Sequence, residues 1–216
     1  FIKKTKRLKL ISVSHNLNNH LNKQGIKAVF LPAYVPPCSV EEIKIKHSKK
    51  LILFSVWKFN EQLANEIYNV PLAFDYLNRN KQKYKMLFMV GSKSNSDEKY
   101  LQKLIHKYQI SNNITIIYNQ SLVNYLNNCE LLLRPNLSDG YGVSIQEALD
   151  LGVPAVASDV CERPKGTVVF KNNDLEDLSS KIQYIENTPL KNILQKKENL
   201  DYHLQLIEMY KTILNS

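Results

Sequence analysis

Two carboxylates, Asp139 and Glu147, flank a stretch with the side chains and backbone to hold a polar ligand: Gly140, Tyr141, Gly142, Val143 and Ser144 lie between them. Gly140 and Gly142 remove side chains where a backbone must approach a ligand closely or adopt positive φ. A helix starting after such a loop presents unpaired N–H groups and a partial positive charge, which together seat a phosphate. The flanking carboxylates accept hydrogen bonds from hydroxyls, and sugar rings and ribose are polyols. The pattern therefore suggests a site for a sugar nucleotide. Simpler readings exist for each part. Ser144-Ile-Gln-Glu147 also fits a capping box, in which Glu147 reaches back to the N-cap N–H, and Asp139-Gly140 is an ordinary turn signal. What favours the chemical reading is the joint pattern across residues 130–170.

The elements that must position these residues are legible around them. The apolar run 131–133 reads as a buried strand, and a short helix is expected over 144–151. Gly152 and Pro154 stop that helix, and residues 154–157 begin a second buried strand. Strand, glycine-bearing loop, helix and strand make half of a nucleotide-binding α/β unit. Upstream, strands are expected at 51–56, 85–90 and 113–118. Helices are expected at 72–79, 97–108 and 121–127, the last with Ser121 as its N-cap. Alternation at this spacing argues an α/β fold with a doubly wound, parallel, Rossmann-like sheet. Its ligand crevice should open beyond the carboxyl ends of the strands, where the Asp139 and Ser158 loops leave.

The same stretch resembles the signature of retaining glycosyltransferases of family 4, which have the GT-B fold. Their motif, Glu-x7-Glu followed by Ala-x-x-x-Gly-x-Pro-Val-Val-Ala-Ser, is met here by Asp139, Glu147, Ala148, Gly152, Pro154, Ala155, Val156, Ala157 and Ser158. The Asp-Gly-x-Gly-Val-Ser form and the trailing Ser-Asp-Val-x-x-Arg-Pro-x-Gly are similar to one bacterial subgroup. The resemblance implies that Asp139, one methylene shorter than the usual Glu, meets the donor sugar and Glu147 the ribose hydroxyls. It implies that the backbone from Gly140 to Ser144 faces the diphosphate of a nucleotide sugar, with no metal or cofactor required. The acceptor would be a glycan or lipid-linked hydroxyl, as in bacterial surface polysaccharide synthesis. One family feature is missing: the Arg and Lys that usually follow the first strand of the donor domain, in a Gly-x-x-x-Lys-Gly context. Here that region reads Ser55-Val-Trp57-Lys58-Phe-Asn60, and Ile67-Tyr68-Asn69 stands where Lys-Gly or Tyr-Gly is common. Lys58 is a candidate to supply one charge, with a solvated loop lysine as the competing reading, and Arg163 or Lys165 another, since guanidinium suits bidentate phosphate contact. Trp57 reads as core, with a pocket wall as the alternative.

The chain's 216 residues suit one full domain and part of another. Residues 8–31 read as strand, helix and strand, followed by the stiff Pro32-Ala-Tyr-Val-Pro36-Pro37. By resemblance, residues 1–37 are the end of an amino-terminal acceptor domain with its linker. Residues 38–188 are then the donor-binding domain, and 189–216 a terminal helix returning toward the first domain. That helix is expected over 190–214, whole or interrupted, with an exposed apolar stripe at Leu204, Ile207, Tyr210 and Ile213. A start at Phe1 rather than Met reads as a fragment. The net charge of +9 is carried wholly by residues 1–50, with eleven Lys/Arg against Glu41 and Glu42. Such a segment can meet anionic lipid, giving peripheral contact at the inner membrane face, or be a solvated lysine-rich surface. Tyrosines are not interleaved with the basic residues, so no nucleic-acid stacking platform is expected. Cys38, Cys129 and Cys161 lack metal-ligand spacing and read as reduced cytoplasmic thiols. His15, His20, His47, His106 and His203 form no ligand set on one helix face. Two readings from other classes compete with a transferase: a non-catalytic sugar-nucleotide-binding module, and a basic adaptor for membrane or nucleic acid.

Overall fold

The computed structural model describes residues 10–32, 34, 36, 40–41, 43–194 and 202–214. The expected strand positions 8–9, the basic residues Lys3, Lys4, Lys6, Arg7 and Lys9, and Cys38 lie outside the described residues. Two parallel sheets are present among those described. A small one pairs β1 (Leu10–Ser12) with β2 (Ala28–Phe30) across α1 (His15–Lys23). The large one contains β3 (Lys50–Lys58), β4 (Tyr84–Ser92), β5 (Ile114–Tyr118), β6 (Leu131–Arg134), β7 (Ala155–Ser158) and β8 (Val168–Phe170), in the order β5-β4-β3-β6-β7-β8. Every pairing in it is parallel. The chain winds outward from β3 in one direction and from β6 in the other, so the topological switch lies between β3 and β6.

Both faces of this sheet are covered, which is why its strands read as continuous apolar runs. In β3, Ile52, Phe54 and Val56 face one core and Leu51 and Leu53 the other, as the two-residue period of a strand requires. The first core is closed by α3 (Val70–Arg79), α4 (Asn95–Lys107) and α7 (Leu175–Asn187), through residues such as Phe74, Leu101 and Leu178. The second is closed by α5 (Val123–Leu126) and α6 (Val143–Asp150), through Leu126, Ile145 and Leu149. The doubly wound parallel α/β sheet expected from the sequence is what the structure shows.

Several local expectations are corrected. A helix not foreseen, α2 (Glu61–Glu66), is capped by the Asn60 side chain, which accepts from the Leu63 N–H at 2.7 Å. Ser121 is not the cap of α5: Leu122 takes that position without a side-chain hydrogen bond. Asn69 adopts the left-handed conformation, φ 52° and ψ 45°, ahead of α3. Asn tolerates that region better than most residues, so it can stand where glycine is common in the resembling family.

The approach to the large sheet is zipped down by asparagines. Asn124 accepts from the Glu41 N–H, and Asn128 both accepts from the Ile45 N–H and donates to the Ile43 carbonyl. At the other end, α8 (Leu190–Leu194) and α9 (Tyr202–Leu214) lie within the expected terminal helix, whose positions 195–201 are outside the described residues. Leu206 and Met209 of α9 pack against Leu31, Tyr34 and Tyr141, tying the chain terminus to the first sheet's exit strand. Leu204 and Tyr210 are exposed as expected and Ile207 is half-buried, while the Ile213 side chain lies outside the described residues. No helix among the described residues is long and apolar enough to cross a membrane.

Candidate active site

A cavity of about 850 Å³ opens beyond the carboxyl ends of β3, β4 and β6, at the topological switch. Ser55, Val56 and Trp57 line it from β3, Met89 to Gly91 from β4, and Asn119 to Leu122 from the loop after β5. Arg134 ends β6 on its wall, and Asp139 through Ser144, with Glu147, close it. Val13, at the end of the small sheet, faces the same space. An open α/β sheet places its ligand crevice at this point.

Helix α6 is set up by Gly142, its N-cap, at φ 89° and ψ 62°. The positive φ favours glycine, and a Cβ there would lie 2.7 Å from Ile145 Cδ1, so that a larger residue would also force that side chain to shift. Starting the helix at Val143 overturns the capping-box reading. Ser144 sits inside the first turn, its hydroxyl accepts from Arg134 Nη1 at 3.1 Å, and no side chain caps the helix. Glu147 is therefore not drawn back to the N-cap N–H. Its carboxylate lies on the cavity wall, where burial raises its pKa above the ordinary Glu value and the charge of Arg134 opposes the rise.

Asp139 is held very differently. Arg134 grips it side-on, Nε to Oδ2 at 2.5 Å and Nη2 to Oδ1 at 2.8 Å. Arg163 Nη1 adds a second contact to Oδ2, and the Gly140 N–H donates to Oδ1 at 3.0 Å. Burial alone would raise this carboxyl's pKa. The hydrogen bonds and charges of Arg134 and Arg163 overcome that and hold it down at about 2.

The other expected site residues divide. Gly140, Tyr141, Gly142, Val143 and Ser144 all line the cavity, the Tyr141 side chain being buried against Leu31 and Tyr34. Arg163 does not line it: its side chain is 2% exposed, and besides Asp139 it donates to the Ser158 carbonyl and hydroxyl. Lys58 does not line it either. Exposed at the end of β3, it exerts its charge on Asp97 of α4. Trp57, read as core, is 82% exposed and forms a wall of the cavity. Gly91 on the neighbouring strand makes room for it, since a Cβ there would meet the Trp57 carbonyl oxygen at 2.4 Å.

Arg134 was not foreseen. The signal available was a single charge ending the apolar run Leu131–Leu133 on the ligand side of a buried strand. The polar run Asn119-Gln120-Ser121 after β5 is a similar signal. Behind the loop, Tyr34 donates to Asp150, Gln146 Nε2 donates to the other Asp150 oxygen, and the Tyr141 hydroxyl bonds Gln146 Oε1. This chain of contacts joins Tyr34, beyond β2, to the glycine loop through α6.

Comparison with known proteins gives three kinds of match. The family model described as Glycosyl transferases group 1 matches residues 40–202. Protein CapJ of Staphylococcus aureus is 29% identical over 170 residues, covering 71% of this chain and 38% of that protein. Among solved structures, sucrose-phosphate synthase from Thermosynechococcus elongatus superposes with a TM-score of 0.75 at 14% identity, covering 95% of this chain and 58% of that one. WaaG, a glycosyltransferase involved in lipopolysaccharide biosynthesis, gives 0.68 at 14% identity, covering 92% and 60%. The chain thus spans 38% of the curated relative and about three-fifths of these two structures, which share its fold.

Proposed function

Since the chain belongs to the glycosyl transferases group 1 family, we propose that it forms the donor-binding half of a retaining, family 4 glycosyltransferase. The donor is a nucleotide-diphosphate sugar and the acceptor a glycan or lipid-linked hydroxyl. CapJ, from a bacterium, and WaaG, named for lipopolysaccharide synthesis, support a place in bacterial surface glycan assembly. The anomeric carbon exchanges its bond to the diphosphate oxygen for one to the acceptor oxygen, with net retention of configuration. The acceptor proton and the nucleoside diphosphate leave as products.

One observation carries this reading. Glu147 lines a cavity at the topological switch together with Gly142, Val143 and Ser144, the N-cap and first residues of an eight-residue helix. Glu147 accepts hydrogen bonds from the ribose hydroxyls, and the backbone from Gly140 to Ser144 approaches the diphosphate. Negative charge builds on that diphosphate as the glycosidic bond breaks. Fixed N–H dipoles and a nearby guanidinium lower the barrier because they are already oriented.

The test is calorimetric binding of UDP, GDP and ADP to this chain and to Glu147→Ala. The expected result is binding of one of the three, weakened about tenfold or more by the substitution, the size of a lost hydrogen bond to a charged group. Absence of binding to all three overturns the donor-site reading. Equal binding by the variant overturns the role of Glu147.

A further inference from the structure

The cavity has one basic residue on its wall among the described residues, Arg134, against two carboxylates, Asp139 and Glu147. Without Arg134 the wall would repel an anion. The end of β3, next to where the resembling family keeps its basic pair, gives the cavity Trp57 rather than Lys58. The distribution of hydrogen bonds then separates the three charged groups by what each can still do. Asp139 accepts from four donors, two on each oxygen: Arg134 Nη2 and the Gly140 N–H on Oδ1, Arg134 Nε and Arg163 Nη1 on Oδ2. A carboxylate offers about four lone-pair sites. Asp139 is saturated, and a sugar hydroxyl reaching it would have to displace an arginine. Arg134 is in the opposite state. Three of its N–H groups are taken, by the two Asp139 oxygens and the Ser144 hydroxyl. A guanidinium has five, so one on Nη1 and one on Nη2 remain.

We propose that Arg134 binds the diphosphate of the donor, and that Asp139 is a positioning residue that fixes the guanidinium rather than an acceptor for the donor sugar. The inference rests on the donor-site reading above and changes the roles within it. The side-on grip of Asp139 sets the plane of the guanidinium, and Ser144 ties its far end to the first turn of α6. The two remaining N–H groups then meet phosphate oxygens beside the backbone N–H groups of that turn. Arg163, buried behind, balances the Asp139 charge, so that the positive charge of Arg134 acts on the ligand instead of being cancelled by its own anchor. Guanidinium suits this task because its donors are rigidly spaced and its charge persists at all physiological pH values.

The test compares a nucleoside diphosphate with its nucleoside, using whichever of UDP, GDP and ADP the wild-type chain binds, read by Trp57 fluorescence. Arg134→Gln is expected to weaken the diphosphate about ten- to a hundredfold while changing the nucleoside by less than about threefold. It should also flatten the salt dependence of diphosphate binding. Arg134→Lys, which keeps a charge without the side-on grip, should fall between, and its diphosphate-to-nucleoside ratio decides the matter if Arg134→Gln does not fold. Asp139→Asn should weaken the free diphosphate and its glucose-bearing form by the same factor. Equal losses for nucleoside and diphosphate in the Arg134 variants would overturn the inference and leave the donor site standing. So would an Asp139→Asn loss confined to the sugar-bearing ligand. Failure of the wild-type chain to bind any of the three would overturn both.

Discussion

Replacing Asp139 by Asn removes one negative charge from between two arginines, and the structure fixes how much that should cost. The Asp139 side chain is 8% exposed and that of Arg163 2%, so solvent screens little of the interaction. Burial pushes the carboxyl's pKa up, but the Arg134 and Arg163 contacts prevail and hold it at about 2. Against an ordinary Asp near 3.9, that difference corresponds to roughly 2–3 kcal/mol of folding free energy at neutral pH. Asn keeps the shape but leaves the Arg163 guanidinium facing neutral acceptors, and breaking such a buried pair costs about 3–5 kcal/mol in other proteins. Asp139→Asn should therefore destabilise the chain by roughly 2–4 kcal/mol, lowering its melting temperature by about 5–15 °C. The pH dependence follows from the direction of the shift. A carboxyl whose folded pKa lies below its unfolded one stabilises fully above about pH 4 and stops doing so as pH falls through about 2. Urea unfolding of both proteins should show the widest gap at neutral pH and a gap that closes in acid. A neutral-pH difference under about 1 kcal/mol, or one that stays constant into acid, would refute the reasoning.

Two other perturbations probe the loop and the wall. Gly142→Ala places a Cβ 2.7 Å from Ile145 Cδ1 and 3.3 Å from Arg163 Nη1 at φ +89°, so thermal melts should show a loss of roughly 1–3 kcal/mol. Gly140→Ala, whose Cβ would meet only Ser14 Cβ at 3.6 Å, should cost under about 1 kcal/mol and serves as the contrast. Trp57 is the chain's one tryptophan and lines the cavity at 82% exposure, so its emission should change on nucleotide binding. Trp57→Ala should leave stability within about 0.5 kcal/mol while weakening the ligand, as measured by melts and calorimetry.

The parts of the fold that depend on local pattern were legible. The strand, loop, helix and strand from β6 to β7 were readable because apolar runs, Gly152 and Pro154 carry that information within a few turns of chain. What failed did so where a distant residue decided the outcome. Ser144-Ile-Gln-Glu147 satisfies the capping pattern, yet Gly142, two residues earlier, takes the N-cap position and Arg134, ten residues upstream, claims the serine hydroxyl. Trp57 is aromatic at the end of an apolar strand, which favours burial. But β3 runs on to the carboxyl edge of the sheet, where the cavity opens and the ring stays 82% exposed. Strand β8 has three residues, too few for a period to show.

The charge arrangement at the site shows why reading residues one at a time misplaced the cations. Lys58 is a candidate because it stands near where the resembling family keeps a base, but it is exposed at the end of β3, outside the cavity lining, and acts on Asp97 instead. Arg134 and Arg163 are twenty-nine positions apart in a chain whose sequence shows no link between them. The register supplies the link: β6 and β7 are parallel neighbours with Arg134 opposite Ala157, so the loop leaving Ser158 returns Arg163 to the end of β6. Asp139, five residues beyond Arg134, then finds both guanidinium groups within reach. A shorter acid suits that place. A glutamate would carry its carboxylate one methylene further, past the position where a single group can be gripped side-on by Arg134 and still receive the Gly140 N–H. The Asp at this position and the Arg at the end of β6 therefore make sense as one unit, and neither is interpretable without the other.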